Sequence, residues 1–173
     1  SAIAEDMPNA SFAGQQDTFL NIKGIDNILI KIKECFSSLF NSRAISYRKT
    51  HDIKFDQVLI SVGIQKMVRS DLGSAGVAFS IDPETGYDKA IVINSTFGLG
   101  ELVVGGGVKP DEIIIDKRTL KILGSDPIIM KKLGDKNTKI VYDKNGGIDE
   151  ISTNLIEKVN FSLSNNISIE LAK

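Results

Sequence analysis

Apolar residues change their spacing twice along this chain. Between residues 24 and 40, Ile25, Ile28, Leu29, Ile32, Phe36 and Leu39 recur at helical intervals. Asp26, Lys31, Lys33 and Glu34 fall mostly elsewhere on the wheel. The spacing predicts one amphipathic helix with Gly24 before it, and a second helical stretch over 42–49. From Gln57 the period moves toward two. Val58, Ile60, Val62 and Ile64 alternate with Leu59, Ser61, Gly63 and Gln65, which predicts a strand buried on at least one face. A break at 70–74 follows. Val77, Phe79 and Ile81 then alternate again and stop at Asp82-Pro83-Glu84-Thr85-Gly86, a turn set by its proline and glycine. These two runs are expected to pair as an antiparallel hairpin.

Further strands are predicted at 89–94, 112–116 and 139–142, the last running into the turn Asn145-Gly146-Gly147. Residues 162–173 read as a helix with Ser162 as its cap, although Asn165 and Asn166 are weak helix formers. Residues 1–18 are polar and punctuated by Pro8 and Gly14. They read as an ordered loop or broken strand anchored by Phe12, Phe19 and Leu20. A helix pair followed by a run of strands predicts an α+β domain with a mostly antiparallel sheet and flanking helices, in place of a doubly wound parallel sheet.

Composition narrows the partners. A length of 173 residues suits one domain with a real core. With 21 basic and 22 acidic residues the net charge is −1, so no global field draws the chain to nucleic acid or to an anionic membrane. Apolar runs are too short to span a bilayer, and no secretory signal is visible. The lone Cys35 excludes an internal disulfide and fits a reducing cytoplasm. The chain starts on Ser1, which suggests truncation or processing. His51 is the only histidine, so a histidine-based metal cluster is excluded, and one cysteine excludes a paired-cysteine site. A Ser-His-Asp triad would need His51, which has no nucleophile elbow nearby and reads as a solvated surface residue. Adjacent Glu5 and Asp6 point to opposite faces of an extended chain.

Three clusters could carry chemistry. In Ser11-Phe12-Ala13-Gly14-Gln15-Gln16-Asp17-Thr18, Gly14 could let backbone N–H groups approach a phosphate while Thr18 supplies a hydroxyl. An ordinary tight turn explains the same composition. In Gln65-Lys66-Met67-Val68-Arg69, the Gln65 amide could donate to and accept from a purine edge, and Met67 could pack on a base. A strand leaving the core explains that segment equally. Gly98-Leu99-Gly100-Glu101, with Gly105 to Gly107 after it, lacks both the dinucleotide fingerprint and a P-loop lysine, so a structural role fits these glycines better.

Several long motifs agree in order with one family. They are SAIAEDMPNASFAGQQDTFLNI at 1–22, SLFNSRAISYR at 38–48, GIQKMVRSDLGSAGVAFSIDPETGY at 63–87, INSTFGLGELVVGGGVKPDE at 93–112 and KKLGDKNTKIVY at 131–142. Together they resemble the ATP-binding half of the phosphoenolpyruvate synthase family, essentially end to end. Pyruvate phosphate dikinase differs at the first motif, where it is methionine-rich. Rifampin phosphotransferase shares that motif but diverges over MVRSDLGSAGVAFSIDPETG and VVGGGVKPDE.

The resemblance implies an ATP-grasp-like domain in which Gly14 and Thr18 lie on the phosphate side. Gln65 and the backbone of Met67 lie at the adenine edge. It implies ATP and Mg²⁺ as cofactors in the full-length enzyme, pyruvate as acceptor, and a catalytic phosphohistidine. It also implies that a phosphate-binding lysine and arginine precede Ser1. A metal-holding glutamate, the phosphohistidine domain and the pyruvate-binding domain lie beyond Lys173. The piece alone is then expected to be inactive, cytoplasmic, without nucleic-acid or membrane partners, and open to homodimer formation. A non-catalytic binding module is the rival from another class.

Overall fold

The computed structural model describes residues 6–7, 10–11, 16–54 and 58–173. The chain divides into two compact units. Unit 1 comprises residues 1–67 with 144–147, and unit 2 comprises residues 68–143 with 148–173.

Unit 1 begins with two short paired strands, β1 (Asp6–Met7) and β2 (Ala10–Ser11), which bears out a broken strand. The predicted helix is α1 (Ile25–Ser37), continued by a 3₁₀ turn at Ser38–Phe40. Gly24 precedes it at φ +82°, a left-handed conformation that glycine adopts without Cβ strain. The second helix is α2 (Ser42–Thr50), capped by the Asn41 side chain, which accepts from the Ala44 N–H at 2.7 Å. Leu39 and Val58 form the small core of this unit, with Tyr47, Ile53 and Ile60 packed against them.

The expected strand from Val58 to Ile64 is not regular. Only Ile60 makes a bridge, and residues 61–69 carry no strand ladder. Ile64 and Val68 are largely exposed, at 66% and 78%. Alternation here reflects an extended chain that shares no ladder with another described strand. The predicted hairpin is therefore corrected: the strand after the break pairs forward in sequence, not backward.

That strand is β3 (Ser74–Phe79), the first of a four-stranded antiparallel sheet in unit 2. Its partner is β4 (Ala90–Phe97), with Val77 opposite Asn94. The turn at Asp82 joins them, its carboxylate accepting from Glu84 N–H at 3.0 Å and Thr85 Oγ1 at 2.5 Å. β4 pairs in turn with β5 (Asp111–Asp116), and β5 with β6 (Ile128–Lys132). A separate hairpin joins β7 (Thr138–Tyr142) and β8 (Ile148–Ser152). Every strand pairing among the described residues is antiparallel, so the α+β expectation holds.

β6 and β8 went unpredicted, as did the short helices α3 (Glu101–Val104) and α4 (Leu155–Val159). The last helix, α5 (Asn165–Leu171), begins later than expected. Its cap is Ser164, whose hydroxyl accepts from Ile167 N–H at 3.3 Å. Ser162 is committed elsewhere, to Asp111.

Ile93, Ile113 and Ile115 make the apolar core of unit 2, covered by residues including Leu120, Ile128 and Leu163. Beside it lies a buried polar cluster centred on Asp111. One Asp111 oxygen accepts from Gly134 N–H at 2.8 Å and from the Lys136 ammonium. The other accepts from Ser162 N–H at 2.7 Å and Ser162 Oγ at 2.8 Å. Both charged side chains are fully buried. Removing one member of such a pair strands the other charge in a dry interior. Lys136→Met should therefore destabilise the chain by about 3 to 5 kcal/mol in urea unfolding. A loss under about 1 kcal/mol would show that water reaches the site.

Asp116, at the end of β5, accepts from Thr119 Oγ1 at 2.6 Å, Thr119 N–H at 3.2 Å and Arg118 Nε at 3.1 Å. The Thr119 hydroxyl, helped by Arg118, outweighs partial desolvation and holds this carboxyl down to about 2, from an ordinary 3.8. The unfolded chain thus takes up this proton first. Its contribution to stability is present above 3.8 and is lost as pH falls toward 2. Carboxyl NMR should find the Asp116 midpoint near that low value, and Thr119→Val should move it upward.

Candidate functional site

The residues with candidate chemistry that the structure describes, Thr18, Gln65 and Met67, all belong to unit 1. Gly14 lies outside the described residues. Thr18 is exposed, and its hydroxyl bonds to no other described residue. The stretch around it is held on α1 at two points. Cys35 Sγ–H donates to the Asp17 carbonyl at 3.6 Å, and the Lys31 ammonium lies 4.5 Å from the Phe19 ring centre. Burial pushes the Cys35 thiol up from its ordinary value, and the Asp17 carboxylate adds to the effect. Both effects disfavour the thiolate, and the thiol proton is used in the contact with Asp17.

Asn21 organises the rest. It sits at φ +51°, a left-handed conformation that asparagine tolerates better than most residues. In that conformation its N–H meets Met67 Sδ at 2.9 Å. Its carbonyl accepts from Gly147 N–H at 3.0 Å, and its side-chain amide donates to the Gly147 carbonyl at 2.7 Å. Lys23 Nζ donates to the Lys144 carbonyl at 2.7 Å. Thus Asn21 fixes Met67 and the glycine turn at 145–147 relative to the segment carrying Thr18.

Met67 is half-buried with its sulfur engaged, so its side chain serves as an anchor. Gln65, two residues earlier, is exposed. Neither the Gln65 side chain nor the backbone of residues 65–67 forms a hydrogen bond with another described residue. The result is a fixed strip of chain that presents an amide side chain and unsatisfied backbone donors and acceptors. Such a strip can bind a flat heterocycle edge-on.

Asn21 was missed in the sequence. The available signal was an asparagine just after Phe19 and Leu20 and before Gly24, a position suited to a left-handed turn.

The glycines at 98–101 belong to unit 2 and are structural. Gly98 has φ +80°, and a Cβ there would lie 2.4 Å from the Ile140 carbonyl oxygen. Leu99 N–H donates to that same oxygen at 2.9 Å, and Gly98 N–H donates to the Gly73 carbonyl at 3.0 Å. The described residues bring together no group of three His, Cys, Asp or Glu side chains able to hold a metal ion, so no Mg²⁺ ligands are assigned here. No described helix is long and apolar enough to cross a membrane.

Residues 1–173 match the pyruvate phosphate dikinase AMP/ATP-binding domain. The chain belongs to that family. Among its relatives, the protein named phosphoenolpyruvate synthase from Helicobacter pylori is 52% identical over 176 residues, covering 100% of this chain and 22% of that protein. Proteins of the same name from Deinococcus radiodurans and Escherichia coli are 46% and 47% identical, again over 100% of this chain and 22% of their own length. The chain therefore spans about a fifth of the curated relatives it matches.

Replacing Asn21 separates its backbone role from its side-chain role. Asn21→Gly keeps the left-handed backbone and loses one side-chain hydrogen bond, a cost of about 1 kcal/mol. Asn21→Ala loses the same bond and adds left-handed strain of roughly 1 kcal/mol. Urea unfolding should rank wild type above Gly and Gly above Ala.

Proposed function

We propose that this chain is the ATP-binding portion of a phosphoenolpyruvate synthase, with an ATP-grasp-like fold. The whole enzyme converts ATP, pyruvate and water to phosphoenolpyruvate, AMP and phosphate through a phosphohistidine. The observation that carries the reading is the exposed Gln65 beside the unpaired backbone of residues 65–67, held by the contact between Asn21 and Met67. The shared name of relatives at 46% to 52% identity supports the choice of reaction.

In this reading Gln65 and the Met67 backbone meet the adenine edge. Gly14 and Thr18 face the phosphates of Mg-ATP, with backbone N–H groups and a hydroxyl as donors. Phosphoryl transfer asks a protein mainly for positioning and charge stabilisation. Here the chain contributes positioning. It supplies no histidine for a phosphoenzyme, because His51 stands at the end of α2, away from these residues in sequence and exposed. The chain by itself is expected to bind Mg-ATP weakly and to form no AMP from ATP and pyruvate.

Calorimetric titration with Mg-ATP tests this. Binding in the millimolar range is expected, weakened about tenfold in Gln65→Ala, which corresponds to the loss of roughly one good hydrogen bond. Equal binding by the variant would remove Gln65 from the adenine edge. Pyruvate-dependent AMP formation by the chain alone would overturn the division of labour.

A further inference from the structure

One side of α1 is committed to its own unit. Lys31 and Cys35 reach Phe19 and Asp17, and Ile28 and Ile32 are half-buried. Along the border of that side runs an apolar line formed by Ile25, Leu29, Ile32 and Phe36. Ile25, Leu29 and Phe36 are 66%, 51% and 45% exposed, so most of this line is uncovered. Its steps of four, three and four residues are those of a coiled-coil seam, in which alternating apolar positions meet a second helix.

The charges beside the seam say what that second helix is. Lys31 and Glu34 neutralise each other within α1 at 2.6 Å. Asp26 and Lys33 are exposed, and neither forms an ion pair with another described residue. Each directly follows a seam residue, so both stand on the same flank of the seam, about two turns apart. That separation is too long for a pair within one helix. When two such helices pack antiparallel, equal flanks face each other. With Ile25 opposite Phe36 and Leu29 opposite Ile32, Asp26 of each copy comes beside Lys33 of the other. A two-fold axis makes this pair twice. Parallel packing would instead bring Lys33 to Ile28 and leave both charges unpaired.

We propose that the Ile25–Phe36 face of α1 docks antiparallel on the same face of a second copy of this chain, with Asp26 and Lys33 paired between copies. The seam runs for about 18 Å along each helix. That is less surface than a standard interface buries, so the dimer is weak, with a dissociation constant on the order of 0.1 mM. The inference rests on α1 alone and does not depend on nucleotide binding.

Sedimentation velocity over about 10 μM to 1 mM chain tests it. A monomer–dimer equilibrium is expected. Its dissociation constant should rise about five- to tenfold in Asp26→Lys and in Lys33→Asp, because each change sets like charges together twice. The double variant carrying both changes should return to within about twofold of the wild-type constant. That recovery separates docking from helix stability. Asp26 lies in the first turn of α1, where the helix dipole favours an acid. A role confined to one helix would therefore leave the double variant no better than Asp26→Lys. Both positions are exposed, so the variants keep their fold, checked by circular dichroism. A wild-type chain that stays monomeric throughout overturns the proposal and leaves the face to an occupant other than this chain. Single variants that associate like wild type, or a double variant that dissociates like the singles, overturn it as well.

Discussion

The structure of unit 2 depends on a carboxylate that has nowhere to go. Asp111 is fully buried at the start of β5, and a buried charge is tolerable only when it is paired and fully hydrogen-bonded. Its four donors come from two separate parts of the chain. Gly134 and Lys136 lie in the connection between β6 and β7, and Ser162 lies before α5. Satisfying one side chain therefore brings these segments to the start of β5. The network continues outward. Ser162 Oγ meets Ser95 Oγ of β4 at 2.8 Å, and Thr153 Oγ1 donates to the Lys136 carbonyl. A hydrophobic core alone would set the distance between these elements. The polar cluster sets their register as well, because each donor must meet one particular oxygen.

A second constraint acts beside it through the absence of a side chain. At Gly98 the chain turns with positive φ against the Ile140 carbonyl, in a space too small for a Cβ. The end of β4 and the strand β7 thus meet backbone to backbone. The Lys139–Glu157 ion pair then ties β7 to α4, whose Asn154 and Glu157 form a reciprocal capping box. Through these links the β7–β8 hairpin, which shares no ladder with the four-stranded sheet, still belongs to the same unit.

How much of this was legible follows from where the pattern met its physical cause. α1 and α2 were readable because their apolar or capping residues sit at helical intervals. β4, β5 and β7 were readable because runs of Ile and Val need burial on both faces or nearly so. β8 was not, because its two isoleucines stand three apart, Ile148 and Ile151, and the strand is exposed along its length. Val58 to Ile64 misled for the opposite reason: a period of two shows an extended chain but cannot supply its neighbour. Ser162 and Ser164 were equally good caps in sequence, and the buried Asp111 decided between them by claiming Ser162. Thr18, Gln65 and Met67 stood out by residue type, where a turn and a strand leaving the core explained them equally, and the family resemblance alone favoured a nucleotide role for them. Asn21 escaped because its importance lies in a backbone conformation and in contacts far along the chain.

The two units differ in what they can offer a ligand. Unit 2 invests its polar groups in one another, so little is left facing outward at its polar cluster. Among the described residues, unit 1 has a core cluster of only Leu39 and Val58, and its helix α1 buries none completely. Ile25, Leu29, Ile30 and Phe36 on α1 all remain substantially exposed. With so little apolar burial among its described residues, the shape of this unit depends more on a few specific contacts than the shape of unit 2 does. That is why the contacts of Asn21 matter beyond their modest energy. They hold the segment of Gln65 extended with no described strand beside it, and the backbone of residues 65–67 bonds to no other described residue. Pairing the same segment into a sheet would stabilise it and would also consume those donors and acceptors. The irregularity that defeats strand prediction at 61–69 is also what leaves the backbone of residues 65–67 without hydrogen bonds to other described residues.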